Sequence, residues 1–551
     1  MASGGPTVLA ALSARDALQQ RAMKLVVYAD MSAAVDSNNQ SAQAMAGRAS
    51  GLIGQVWAAY AFIEPELIAI GPDRLNEWQQ ADPQLAMYAH YFHNLFRKQA
   101  HVRSAEVEEL LGLLADPFGS VSATIHLLTN ADFKFAPARG SDGVEQPVAQ
   151  GTIVQLVQNA DREVRRTAWE HYADEYLAHQ NTLAGNLITS LKQSVFRMRA
   201  RRHESTLAMT LFDDNLPVAV FHNLIDVFKR HLPTWHRYWR IRRKALKVDA
   251  LRYYDLWAPL TAGGPRVSFE QAVEMICAGL APLGDDYVNV IRRGCFEERW
   301  VDALPNQGKG QGAFSTGVKG THPFIMMSFA GTLMSLSTLA HELGHSMHSY
   351  LTFATQPWVY SGYANFVAEV ASNFHQAMVR AHLLETQSDP GFQLAVIEEA
   401  MTNFLRYFFQ MPTLARFELE VHQRVQRGEG VNAQTLNGLM ADLFAEGFGG
   451  ELDMDRDRIG IIWAEFGHLY ADYYVFQYAT GISGANALAQ RVRSGEAAAA
   501  QDYLRFLAAG SSVYPIDALK IAGVDLTRPE PVEAAFDVLA GYVDRLEQIV
   551  G

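Results

Sequence analysis

The stretch Leu339-Ala340-His341-Glu342-Leu343-Gly344-His345-Ser346-Met347-His348 carries two histidines four residues apart, with a glutamate directly after the first. Its neighbours are compatible with a helix, and four residues is slightly more than one helical turn. His341 and His345 therefore project from one face, where their ring nitrogens can converge on a single cation. Glu342 sits about 100° around the same turn, beside the cation, free to take a proton from water without occupying a coordination position. With 18 histidines in 551 residues, such a match arises by chance on the order of 0.04 times. His348 shares nearly the same face but lies roughly 10 Å along the axis from His341, too far for one ion to bridge, and is read as support or packing. The sixth position after His345 is Leu351, which excludes the three-histidine pattern of the metzincins.

A two-histidine site needs a third ligand, and the candidate is Glu369 in Asn365-Phe366-Val367-Ala368-Glu369-Val370-Ala371-Ser372. This second helical stretch follows a loop containing Pro357 and Gly362. Two antiparallel helices joined in this way bring Glu369 opposite the histidine pair and leave a fourth position open, the arrangement of a catalytic rather than a structural site. The apolar neighbours of Glu369 argue for burial, and a buried carboxylate needs a partner such as a metal. A third cluster, Trp463 to Gly481, holds His468, Tyr470, Tyr473, Tyr474, Phe476 and Tyr478. It reads either as an aromatic core helix or as a source of hydrogen-bond donors for an oxyanion.

Around these motifs the chain is helical: apolar residues recur at helical spacing, as at Val164, Ala168, Tyr172 and Tyr176. The clearest strand-like segment is Pro323 to Phe329, after a glycine-rich region from Gly308 to Gly320 that lacks the Gly-Lys-Ser/Thr of a phosphate loop. That region is either a flexible hairpin or the approach to a strand on which an extended peptide adds. No internal repeat is visible.

Composition narrows the classes further. At 49% hydrophobic and 19% charged residues, 551 residues can bury a large core. The net charge of −13 disfavours generic nucleic-acid binding, and two cysteines, Cys277 and Cys295, are too few for a secreted disulfide framework. The start of the chain lacks a signal-peptide pattern, and no stretch approaches about 18 uninterrupted apolar residues, so a cytoplasmic protein without membrane or nucleic-acid partners is expected. The basic, aromatic-interleaved segment His231 to Lys244 is read as one face of an amphipathic helix rather than a grip on nucleic acid.

Taken together, His341 to His348, Phe366 to Ser372, Gly320-Thr321-His322-Pro323, Gln477 to Gly481, Asp161 to Arg165, Leu211 to Pro217 and Tyr514 to Asp517 resemble the thimet-type oligopeptidase family, in its oligoendopeptidase F branch. The resemblance spans nearly the whole chain. It implies a mainly α fold, a two-lobed helical ellipsoid with a small sheet beside the zincin site in a deep central channel. Residues 1–200 would form the distal lobe and 201–551 the catalytic one. It further implies one zinc ion per chain on His341, His345 and Glu369, with Glu342 as general base and His468 and a tyrosine stabilising the tetrahedral intermediate. The branch commonly has a tyrosine where this chain has Phe476, which leaves the role to Tyr473, Tyr474 or Tyr478, with Tyr474 the favoured candidate. Tyr473, Tyr478, Phe314 and His322 are the expected substrate contacts. The implied activity is zinc-dependent hydrolysis of internal bonds in short unfolded oligopeptides, with homo-oligomerisation left open. The alternative is a catalytically silent helical peptide-binding protein with a structural zinc site, against which the intact Glu342 stands.

Overall fold

The helical spacing read at Val164, Ala168, Tyr172 and Tyr176 becomes the buried face of the helix Arg162–Ala178. Asp161 starts that helix by accepting a hydrogen bond from the Glu163 N–H at 2.9 Å, which satisfies one of the donors a first turn leaves open. The same logic repeats through a computed structural model that describes residues 1, 3–261 and 263–550. Helices dominate, and five short strands occur among the described residues: β1 (Ala138–Arg139), β2 (Glu145–Gln146), β3 (Val301–Asp302), β4 (Phe314–Thr316) and β5 (Phe324–Met326).

The chain divides into two compact units, each built from three segments. One comprises Met1–Val102, Pro265–Thr386 and Gly484–Asp525; the other comprises Arg103–Gly264, Gln387–Ser483 and Leu526–Gly551. This differs from the boundary expected at residue 200. Residues 103–200 belong with the segment 387–483, as the packing of the helix Gln180–Ala200 on Met411–Arg427 shows. Such long-range partnerships are set by burial of distant apolar faces and leave no mark in a linker.

In the first unit, β5 is the middle strand of a three-stranded sheet, parallel to β3 and antiparallel to β4. The segment expected to receive a peptide, Pro323 to Phe329, is thus paired on both sides and has no free edge. The glycine-rich region instead supplies β4, which ends the sheet and packs against the helix Leu333–Thr355, called here the histidine helix. Thr332 caps that helix, accepting from the Ser335 N–H at 3.2 Å. The helix Asn365–Thr386, the glutamate helix, lies against it.

In the second unit, β1 and β2 form a two-stranded sheet, and the basic segment from His231 forms the helix Leu232–Leu246. Trp235, Tyr238 and Trp239 are buried, Arg237 pairs with Asp544 and Glu547, and Arg242 is buried against the Asp255 carbonyl at 3.0 Å. The aromatic rings are core and are closed to nucleic-acid bases. One helical run, Ala105–Asp132, is long and apolar enough by length and composition to cross a membrane, with 11% of its most apolar window buried. It escaped the sequence reading because Asp116 and Pro117 interrupt it and because three helical pieces join end to end.

Candidate active site

Gly344 decides how closely the two site helices meet. A Cβ added there would stand 2.6 Å from the Ala371 carbonyl oxygen and 2.6 Å from the Ser372 Cα. Only glycine lets the backbones approach this far, and the approach sets Glu369 over the histidine pair. His341 Nε2 lies 3.4 Å from one Glu369 oxygen and His345 Nε2 4.0 Å from the other. The three ligand atoms fall within 4.8 Å of one another, the one such cluster among the described residues. The imidazoles are edge to face, with centroids 4.9 Å apart.

Each ring is held from behind. His341 Nδ1 lies 3.1 Å from Gln376 Oε1, and the Gln376 amide in turn donates to Ser337 Oγ at 2.8 Å. His345 is bonded to the Ala368 backbone, and burial, with the neighbouring His341, pushes its pKa down to about 4 despite Glu369. With Nδ1 of His341 facing Gln376 and both Nε2 atoms nearest Glu369, the Nε2 positions face the cluster. Two imidazoles and a carboxylate at these separations fit a divalent ion such as zinc, with room for a further ligand.

Glu342 is 5% exposed. Burial raises its carboxyl to about 6, and the Glu369 charge acts in the same direction, while His341 and a hydrogen bond from the Ser315 backbone oppose the rise. Ser315 belongs to β4, and its hydroxyl also meets Ser346 Oγ at 2.8 Å, so β4 runs directly beside the catalytic candidate. His348 is a packing residue: it stacks on Tyr363 with centroids 3.7 Å apart and lies 5.3 Å from Phe506. Burial pushes its pKa down to about 3.

The remaining expected residues are placed as follows. Phe314 opens β4 and is 36% exposed. His322 precedes β5, its ring 4.5 Å from Phe324 and its Nδ1 2.9 Å from the Pro323 carbonyl. In the second unit, Trp463 to Gly481 is not one helix. Two short 3-10 turns, Ile461–Glu465 and Gly467–Tyr470, precede the helix Phe476–Arg493. His468, Tyr474 and Tyr478 cluster there: His468 stacks on Tyr474 at 5.9 Å, and Tyr478 meets both rings edge-on at 6.0 and 5.4 Å. Burial lowers the pKa of His468, and Arg406 acts in the same direction.

Tyr473 is corrected. It is 1% exposed, its hydroxyl lies 3.0 Å from Thr206 Oγ1, and its N–H donates to the buried Glu418 carboxyl at 2.5 Å. With a left-handed φ of 52° and its ring packed on Phe221 and His422, it is a core anchor of this loop and not a substrate contact. Phe476 is likewise fully buried, 5.2 Å from Phe221. Sequence reasoning missed Gln376 and Ser337. Helical spacing could have found both, since Gln376 follows Glu369 by two turns and Ser337 precedes His341 by one.

Comparisons with known proteins give the family. Residues 155–538 match peptidase family M3, and residues 66–135 match the family described as oligopeptidase F. Oligopeptidase PepF of Bacillus subtilis is 36% identical over 98% of this chain and 80% of its own length. Group B oligopeptidase PepB of Streptococcus agalactiae is 34% identical over 97% and 88%. The solved oligoendopeptidase-F of Enterococcus faecium shares 30% identity, with a TM-score of 0.78 over 99% of this chain and 94% of that one. The helix pair, its clustered ligands and a family match across most of its length lead to one conclusion: the chain belongs to peptidase family M3 and is a metalloendopeptidase of the oligoendopeptidase F branch.

Proposed function

We propose that this enzyme uses zinc on His341, His345 and Glu369 to hydrolyse internal bonds of short oligopeptides, with Glu342 as general base. The observation that carries the reading is the placement of Glu342 between that ligand cluster and β4, the end strand of the sheet. Zinc, when bound, supplies a Lewis acid that acidifies water and polarises the substrate carbonyl.

The chain's own residues do the rest. The Gln376 amide oxygen and the Ala368 carbonyl accept from the two imidazoles and fix the tautomer in which Nε2 is unprotonated. β4 offers the outward Ser315 carbonyl to an extended peptide, which adds as one more strand, while the Ser315 N–H is held by Glu342. Glu342, steadied by the Ser315 N–H, takes the proton from the attacking water and returns it to the departing amine. Hydrogen bonding to the oxyanion is assigned to His468 and Tyr474 on the family resemblance.

The test is Glu342→Gln. The variant is expected to keep its zinc and to lose turnover by at least ~10², read by metal analysis beside a quenched-fluorescent peptide assay. Turnover close to wild type would remove Glu342 from the proton transfer.

A further inference from the structure

Beyond the catalytic residues, the first unit contains a cavity of about 800 Å³ at the far end of β4. Its wall is largely aromatic, with Trp57, Tyr60, Tyr91, Phe353 and Trp358, and it carries three charged residues, Arg15, Glu64 and Lys319. We propose that this cavity is a specificity subsite that takes a bulky aromatic or aliphatic side chain of the substrate, about four residues N-terminal to the cleaved bond. The proposal rests on the peptidase reading above and names where that site selects.

Continuity with the catalytic strand carries the argument. Ser315 N–H is bonded to Glu342, so by the alternation of an antiparallel ladder Ser315 and Gly317 turn their backbone groups outward while Thr316 turns to β5. Gly317, Val318 and Lys319 then form the cavity wall. Gly317 passes so close to the histidine helix that a Cβ would stand 3.2 Å from the Phe353 ring. The Lys319 ammonium donates to the Phe353 carbonyl at 2.5 Å, and the Gln20 amide donates to the Lys319 carbonyl at 2.8 Å. The strand is therefore pinned along the helix from Glu342 to Phe353. Eleven helical residues rise about 16 Å, a distance that four to five residues of an extended peptide cover, while the chain after β4 runs through Gly317 into the turn closed by the Thr321 N–H on the Val318 carbonyl at 2.9 Å. A peptide paired antiparallel to β4, as β5 is on its other edge, runs towards its own N-terminus in this direction. Its residue about four positions before the scissile bond reaches the cavity.

Chemistry defines what the cavity accepts. Its polar groups are spent on one another. The Trp358 indole donates to Gln19 Oε1 at 2.9 Å and the Gln19 amide bonds the Tyr60 hydroxyl. The Tyr91 hydroxyl donates to Glu64 at 3.1 Å. Arg15 pairs with Asp16 at 2.8 Å and lies over the Tyr91 ring at 4.7 Å. Ring face and aliphatic surface make up the broad part of the wall, which rewards a large apolar side chain, while the charged Glu64 and Lys319 at its edge are already engaged with the Tyr91 hydroxyl and the Phe353 carbonyl.

The experiment uses the zinc-loaded full-length enzyme and peptide pairs that differ only at the fourth position before the cleaved bond, Phe against Ser. Wild type is expected to prefer Phe by ~10-fold or more in kcat/KM. Trp57→Ala should bring that ratio close to one; Trp57 is 55% exposed, so its loss leaves the core intact. Ala61→Phe, which fills the cavity from its rim, should invert the preference. Zinc-dependent hydrolysis with the same ratio in wild type and both variants, or with no preference in wild type, overturns the subsite alone. Absence of hydrolysis by wild type on any peptide overturns the peptidase reading and the subsite with it.

Discussion

Replacing Gly344 by alanine tests the packing that assembles the site. The added Cβ would meet the Ala371 oxygen and the Ser372 Cα at 2.6 Å, both backbone atoms of the glutamate helix, whereas ordinary contact begins at 3.4 Å. The helices must therefore part by about 0.8 Å or more at this point, the difference of those two distances. Glu369 stands two residues before Ala371 and moves with it, away from imidazole nitrogens now 3.4 and 4.0 Å distant. Overpacking of this kind costs about 1–3 kcal/mol, and a misplacement near ~1 Å at a catalytic centre costs about 10²-fold in rate. Thermal melts, zinc competition with a chelator and kcat/KM on one peptide read the three consequences together. Gly438→Ala is the control: it lies in the helix Ala433–Phe448 with nothing within 4 Å of the new Cβ, and should stabilise the fold by roughly 0.5–1 kcal/mol. A Gly344→Ala enzyme with wild-type melting, zinc retention and rate would refute the close-approach argument.

Three further outcomes follow from the geometry. Gln376→Ala removes the acceptor that orients His341, so zinc affinity should fall about 10- to 100-fold, measured by chelator competition, while the melting temperature of the metal-free protein changes little. Glu465 has a buried carboxyl oxygen without a hydrogen-bond partner, and burial lifts its pKa from 4.5 to about 8. Its folded pKa exceeds its unfolded one, so its contribution is fully present below about pH 4.5 and is lost as pH rises through about 8. Glu465→Gln should therefore melt higher than wild type at pH 8 and close to it at pH 4.5; an advantage that does not grow with pH would contradict this. His468→Ala and Tyr474→Phe should each lower kcat by ~10² or more with zinc content unchanged, and steady-state kinetics beside metal analysis would show it.

The pattern of what the sequence disclosed has a physical basis. His341, Glu342, His345 and Glu369 were legible because helical periodicity fixes which side chains share a face, and the chemistry of a zinc site restricts their types. Gln376 and Ser337 obey the same periodicity and were open to the same reasoning. β4 was hidden, since three residues in a glycine-rich stretch carry no alternation, and the choice of β4 rather than β5 as the end strand depends on β3, more than twenty residues before β5 in the chain. The burial of Tyr473 goes with a left-handed backbone at a non-glycine residue, held by Glu418 from another helix, which no local pattern announces. The partition into two units arises from contacts between segments hundreds of residues apart.

The most direct measurement is anomalous scattering at the zinc absorption edge from crystals of the metal-loaded enzyme. The account requires one peak per chain, about 2.0–2.2 Å from the ligand atoms of His341, His345 and Glu369. A loaded crystal with no peak there, or with its peak on other residues, would contradict it.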